Sequence, residues 1–145
     1  MSYATVEAAL LTLIQGMTDY DTDNTSQSDY RILGHGKSQS VVLTPGAFVR
    51  STASPQWHRT RWTINIEVYC LYTGDISTAG SAMRSKRQDI IDEIDKWPTF
   101  NDTSGVVLAR ITGGSEYELW SIHSKQYWVQ ILTCEVEERT VVTYS

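Results

Sequence analysis

The stretch RWTINIEVYCLY, residues 61–72, sets Trp62, Ile64, Ile66, Val68, Cys70 and Tyr72 in alternation with Arg61, Thr63, Asn65 and Glu67. Successive side chains of a strand point to opposite faces, so this pattern describes a strand with one dry face and one wet one. A sheet built on such a strand needs apolar cover on its dry side, and the sequence supplies two amphipathic helices. From residue 2, Val6, Ala9, Leu10, Leu13, Ile14 and Met17 recur at three-and-four spacing, with Ser2 as cap and Gly16 at the end. In residues 77–98 the stripe is Met83, Ile90, Ile91, Ile94 and Trp97; the Arg87 stem covers the gap before Ile90, and Pro98 stops the helix.

The remaining segments supply the other strands. Tyr30–Leu33 and Val41–Leu43 read as short strands separated by the turn-rich GHGKSQS. VVLARI and a run inside EYELW follow the second helix, and Gly113-Gly114 between them is a hairpin signal. YWVQILTCEVEERTVV is apolar on both faces at first and alternates later, as a central strand partly covered by a helix should. Between Thr44 and Arg59 the chain carries Pro45-Gly46 and Pro55, which break regular elements. That stretch is long for an inert connection, and Phe48, Val49 and Trp57 argue against full solvation, so an extended arm or long hairpin around residues 44–60 is expected to dock on something. The fold class is therefore α+β: one mostly antiparallel sheet packed against two helices in a single domain over residues 1–145, a length sufficient for one core.

The usual marks of an enzyme are weak. GHGKS lacks the spacing of a phosphate loop, and His35, His58 and His123 sit in separate segments without ligand spacing. Asp89, Asp92, Glu93 and Asp95 crowd one helix within reach of Arg84, Lys86 and Lys96, the pattern of a solvated charged face. Asp19, Asp21 and Asp23 resemble the opening of a calcium loop, but its sixth position falls on Asn24 and its twelfth on Tyr30, which cannot supply a bidentate carboxylate. The segment reads instead as a polar, turn-forming loop. Cys70 and Cys134 lie in strand-like runs and are expected as buried free thiols. Neither an enzyme, a metal site nor a cofactor is expected. A pI near 5.1 opposes phosphate attraction, so specific nucleic-acid binding is not expected either. The apolar run ALLTLI is too short to span a bilayer and follows no basic segment, which points to a cytosolic chain.

Charge is segregated along the chain. Residues 1–30 hold five acids and no Lys or Arg, and residues 31–66 hold five bases and no acid. The two blocks are either ordinary solvated surface or complementary patches that register one subunit against another. Five Trp and eight Tyr against two Phe favour surfaces where one end of a ring is buried and the other wet, as at protein interfaces.

Taken in order, the amphipathic first helix, the Pro/Gly-containing strand region, INIEVYCLYTGD, AMRSKRQDIIDEIDKWP running into NDTSGVVLARITG, and the closing YWVQILTCEVEE resemble the tail terminator, or tail-completion, proteins of long-tailed bacteriophages. That resemblance implies a virion protein forming a hexameric ring that caps the tail tube and stops its growth. It further implies that the ring meets the head connector while DNA passes through without specific binding. Candidate contacts to a ring neighbour, the tube or the connector are then Phe48, Arg50, Trp57, Arg59 and Arg61, of types enriched at interface hot spots. Asp19, Asp21 and Asp23 are candidates for an acidic lumen that repels phosphates. Other neck or tube components fit the same features, as does a small enzyme or ligand-binding protein with a pocket between sheet and helices.

Overall fold

In the computed structural model the alternating stretch, except its last residue Tyr72, lies within β3 (Trp57–Leu71), which begins at Trp57 and pairs along its whole length with β6 (Lys125–Val141). The structure describes residues 3–17, 20, 24–27, 39–54, 57–72, 74, 76–100, 103, 105–122 and 125–141. The other strands are β1 (Thr25–Gln27), β2 (Gln39–Ser54), β4 (Val106–Gly114) and β5 (Glu118–Ile122). They form one sheet in the order β1-β2-β3-β6-β4, with β5 also on β6. All pairs are antiparallel except the short parallel β1–β2 ladder. The helices are α1 (Tyr3–Gln15) and α2 (Ile76–Lys96), so the α+β class expected from the sequence is the class found.

Ile64, Ile66, Val68 and Cys70 of β3 form one core with Leu132, Cys134 and Val136 of β6. The helices close it with Val6, Leu10 and Ile14 from α1 and Met83, Ile90 and Ile94 from α2. Each such side chain, taken fully out of water, contributes about 1.5–3 kcal/mol. Gly16 ends α1, its N–H bonding back to the Thr12 and Leu13 carbonyls at 3.2 and 3.3 Å. Trp97 follows α2 and stays more than a third exposed, so it is a marginal member of the predicted stripe. Arg87 donates to the Tyr117 hydroxyl at 3.2 Å with its guanidinium over that ring, as well as lying beside the stripe.

The second face of the sheet is not uniformly wet. Val42, Tyr69, Tyr127 and Val129 are buried there as a satellite cluster, with Leu71 and Trp120 against them. Glu67, expected on the solvated side, is only 3% exposed and accepts a hydrogen bond from the Tyr69 hydroxyl. The reason is local: Glu67 lies directly between Val42 of β2 and Ile131 of β6, and Val42 belongs to that buried cluster.

Two expectations about chain breaks are corrected. Pro45-Gly46 does not end a strand; β2 runs through it with a register shift between Pro45 and Phe48. Among the described residues nothing pairs with β2 there except β3, and an edge strand tolerates a proline that lacks an N–H. Gly46 and Ala47 together oppose Thr63, a β-bulge. Gly113-Gly114 is not a hairpin either. β4 and β5 lie one after the other along the same edge of β6, and the chain reverses between Ile122 and Lys125, which pair with each other. Ser115 spans the break: its N–H reaches the Ile131 carbonyl at 2.8 Å, and its hydroxyl accepts from the Ile131 N–H at 3.0 Å.

The Ser2 cap, the Tyr30–Leu33 strand, residues 34–38 of the GHGKSQS turn, His35, His123 and the acidic trio Asp19, Asp21 and Asp23 lie outside the described residues, while Gln39 and Ser40, read as part of that turn, begin β2. Among the described residues no helix is long and apolar enough to cross a membrane.

Candidate functional site

The predicted arm is the far half of the β2–β3 hairpin. α1 starts where Tyr3 packs edge-on against Trp62, ring centroids 5.6 Å apart, and the chain leaving α2 ends where the Pro98 carbonyl accepts from the Ala109 N–H at 2.7 Å. Ala109 faces Val136, and Val136 faces Trp62, so both helices stop at one row of the sheet. Past that row β2, β3 and β6 continue as a blade, with β4 beside β6 as far as Val106 opposite Glu138. Tyr3 is fixed there by a hydrogen bond from its hydroxyl to the buried Glu7; burial, then that bond, raise its phenol above the ordinary tyrosine pKa.

The bulge at Gly46 decides which side chains face where. Val41 and Leu43 lie on the helix-covered face before it, and without the extra residue Phe48 would face Arg61. With it, Phe48 pairs with Trp62, rings 5.1 Å apart, and Val49 pairs with Arg61 on the opposite face. Both nevertheless remain open to solvent, Phe48 at 60% and Val49 at 63%, the largest exposures among the big apolar side chains described.

On the face of Val49 the blade carries a lattice of charges. Arg59 Nε lies 2.6 Å from Glu137, Arg61 Nε lies 3.0 Å from Glu135, and Arg110 of β4 reaches Glu135 at 3.4 Å. Arg139 sits directly opposite Arg59, and the Trp57 ring lies beneath both guanidiniums at 4.2 and 5.8 Å. A cation over an indole face is attracted by its quadrupole, which relieves the like-charge neighbours. The arginines are about half exposed, so each pair contributes at most about 1 kcal/mol to stability. Four guanidiniums against two carboxylates leave this face locally cationic in a chain of net charge −5.

The structure thus brings Trp57, Arg59 and Arg61 into one cluster, puts Phe48 on the other face of the same blade, and leaves Arg50 exposed on β2 opposite Thr60, on the face of Phe48. Sequence reasoning missed Glu135, Glu137 and Arg139, although alternate spacing in CEVEERT marks them as one face of a strand. It also missed Val107 and Leu108 of β4, which are 50% and 41% exposed.

Two adjoining grooves of about 490 and 440 Å3 run between the end of α1 and α2. Asp89, Asp92 and Glu93 line one, while Ala9, Leu13, Trp97 and Phe100 line the other. Among the described residues no group of three or more His, Cys, Asp or Glu is placed to hold a metal ion. Burial pushes the Cys70 thiol up to about 11 and the Cys134 thiol up to about 12. Cys70 faces Trp128 while Cys134 faces Ile64, six positions along β3, which is too far for a disulfide.

The fold and blade define an α+β protein in which Phe48, Val49, Val107 and Leu108, four of its exposed large apolar side chains, lie at one end of the sheet. No family model matches the chain, and no curated protein matches it in sequence. One solved structure, whose name states no activity or partner, superposes with a TM-score of 0.52 at 14% identity, over 100% of this chain and 99% of that one. At that identity the likeness speaks for the fold alone.

Proposed function

We propose that this chain is a structural virion protein that closes into a ring at the head-proximal end of a phage tail tube. The ring ends tube polymerisation and offers a surface to the head connector, while DNA passes through it without specific binding; the chain itself performs no catalysis. The observation that carries this reading is the blade: Phe48 and Val49 are exposed on a strand that runs past the helices. An isolated subunit gains nothing from keeping large apolar groups wet, and two such groups side by side on opposite faces of one edge strand suit a neighbour that grips that edge. The aromatic–arginine cluster at Trp57, Arg59 and Arg139 has the composition of an interface core, and the sequence resemblance to tail terminators supplies the kind of assembly. Residence in the virion tail after assembly in the host cytoplasm belongs to the same reading.

The test is the mass and shape of the purified chain. Light scattering should give a multiple of 16.4 kDa, and electron micrographs should show closed rings. A strictly monomeric protein at high concentration would refute the reading. The helix grooves favour a second reading, a small-ligand binder; native mass spectrometry finding a metabolite on a monomer would support that one instead.

A further inference from the structure

We infer that the outer face of α2 in one copy lies against the uncovered face of the sheet in the next, with Asp92 and Asp95 set against Arg61 and Arg110. This inference rests on the ring reading and specifies its interface. Four observations carry it.

First, the sheet is covered on one side only. Both helices pack on the face of Ile64 and Cys134, and among the described residues no helix lies on the face of Arg61 and Glu135. Toward the blade that bare face exposes Val49 and Leu108 among its charges. Sheets are ordinarily buried by a further layer, and here a neighbour can supply it.

Second, α2 carries its charges against its own dipole. Residues 76–88 hold Arg84, Lys86 and Arg87 and no acid, while residues 89–96 hold Asp89, Asp92, Glu93 and Asp95 against Lys96. Negative charge is disfavoured at a helix C-terminus, where the macrodipole is itself negative. Asp89, Asp92 and Asp95 are exposed, and among the described residues no ion pair joins any of the four acids to a cation. An acidic stripe held at the unfavourable end without compensation suits a cationic partner.

Third, the bare face bears the opposite order. Toward the blade it holds Arg59, Arg61, Arg110 and Arg139 against Glu135 and Glu137; at its other end it holds Glu118 beside Trp120. Arg61 and Arg110 share the Glu135 carboxylate at 3.0 and 3.4 Å, which leaves one positive charge over. A cavity of about 90 Å3 lies between them, rimmed by Leu108 and Glu137, with room for one short side chain.

Fourth, direction and level agree. β3 leaves the blade and α2 runs back toward it, ending where the Pro98 carbonyl holds Ala109, the neighbour of Leu108. Twenty-one helical residues rise about 31 Å, and β3 rises about 30 Å from Trp62 to Leu71. Asp92 and Asp95 therefore fall near the level of Thr63, which shares its row with Glu135 and Arg110, and Arg84 falls toward the level of Glu118. A neighbour in a ring of several copies is turned through only part of a circle, so both orders keep their direction and each sign meets its opposite. The exposed Trp97 comes level with Val49 and Leu108, so the contact takes the Val49 side of the β2 edge. Helix side on sheet side joins two different surfaces, which lets the contact repeat and close, and opposed signs favour it over either surface against itself.

Charge reversal in the full chain, read by light scattering with circular dichroism as the check on folding, tests the contact. Asp92→Lys with Asp95→Lys should leave the subunit folded, since lysine suits a helix C-terminus, and should abolish the multimer. Each change adds two charges, so the net charge moves from −5 to −1 and general repulsion cannot account for the loss. Arg61→Glu with Arg110→Glu should abolish the multimer as well, and the chain carrying all four changes should assemble again. A multimer of wild-type size from the helix variant overturns the contact and leaves the ring reading standing; should the sheet variants fail to fold, the helix variant decides alone. A fourfold variant that is folded but monomeric overturns the match between the two surfaces. A monomeric wild type removes the ring reading and this contact with it.

Discussion

Replacing Gly46 by Ala puts a number on the bulge that orients the blade. A Cβ at Gly46 would lie 2.9 Å from Thr63 Cγ2, 3.0 Å from the Thr63 carbonyl oxygen and 3.1 Å from Thr63 Cβ, closer than a Cβ normally comes to its neighbours. Gly46 is not among the residues with positive φ, so no backbone penalty enters. At an unhindered site of that kind Gly→Ala stabilises by about 0.4–1 kcal/mol, because the unfolded chain loses freedom. Here overpacking of about 1–3 kcal/mol opposes that gain. The expected net is a loss on the order of 1–2 kcal/mol, or about 3–7 °C in Tm. The sign is therefore diagnostic. Urea unfolding followed by tryptophan fluorescence, at one fixed protein concentration because assembly stabilises by mass action, should show a lower midpoint with unchanged slope. Adding Thr63→Ala removes the closest atom and should recover part of the loss. A Gly46→Ala protein as stable as wild type, or more so, would refute the claim that close packing against Thr63 holds the bulge.

Ile66→Ala empties a fully buried core position and should cost about 2–5 kcal/mol in urea unfolding. Arg59→Glu sets a carboxylate against Glu137; with Arg59 half exposed, the subunit should lose less than about 1 kcal/mol while light scattering shows assembly lost. The thiols predict a pH dependence. Below the ordinary thiol pKa both folded and unfolded chains hold these protons; above it the unfolded chain releases them while burial keeps them on the folded one, so stability falls from about pH 9 towards 12. Cys134→Val should make that alkaline decline shallower, and a decline of unchanged steepness would count against it. A thiol reagent at pH 8 should label wild type only as fast as it unfolds.

Periodicity carried much of the fold into view, because a covered face imposes its spacing on β3, α1 and α2 directly. What it could not carry was register. The alternation of Val41, Leu43 and Pro45 gives no warning that Gly46 and Ala47 will share one partner and move Phe48 to the other face. Gly113-Gly114 misled for a related reason: glycine marks bulges and chain reversals alike, and only the position of β6 separates them. The arm was visible in Phe48, Trp57 and Arg59 as residues too apolar or too clustered for a plain loop. Its partners Glu137 and Arg139 were not, since cross-strand neighbours eighty residues apart leave no local trace.

The order of the elements matters for how the sheet is made. β6 joins the β2–β3 hairpin to β4, yet it is synthesised after all of them. On a ribosome emitting the chain from its N-terminus, the hairpin and α2 must therefore wait with the inner edge of β3 bare until Lys125 to Val141 emerge. The late strand converts two unfinished pieces into one body, which would keep premature copies from joining one another before each is complete.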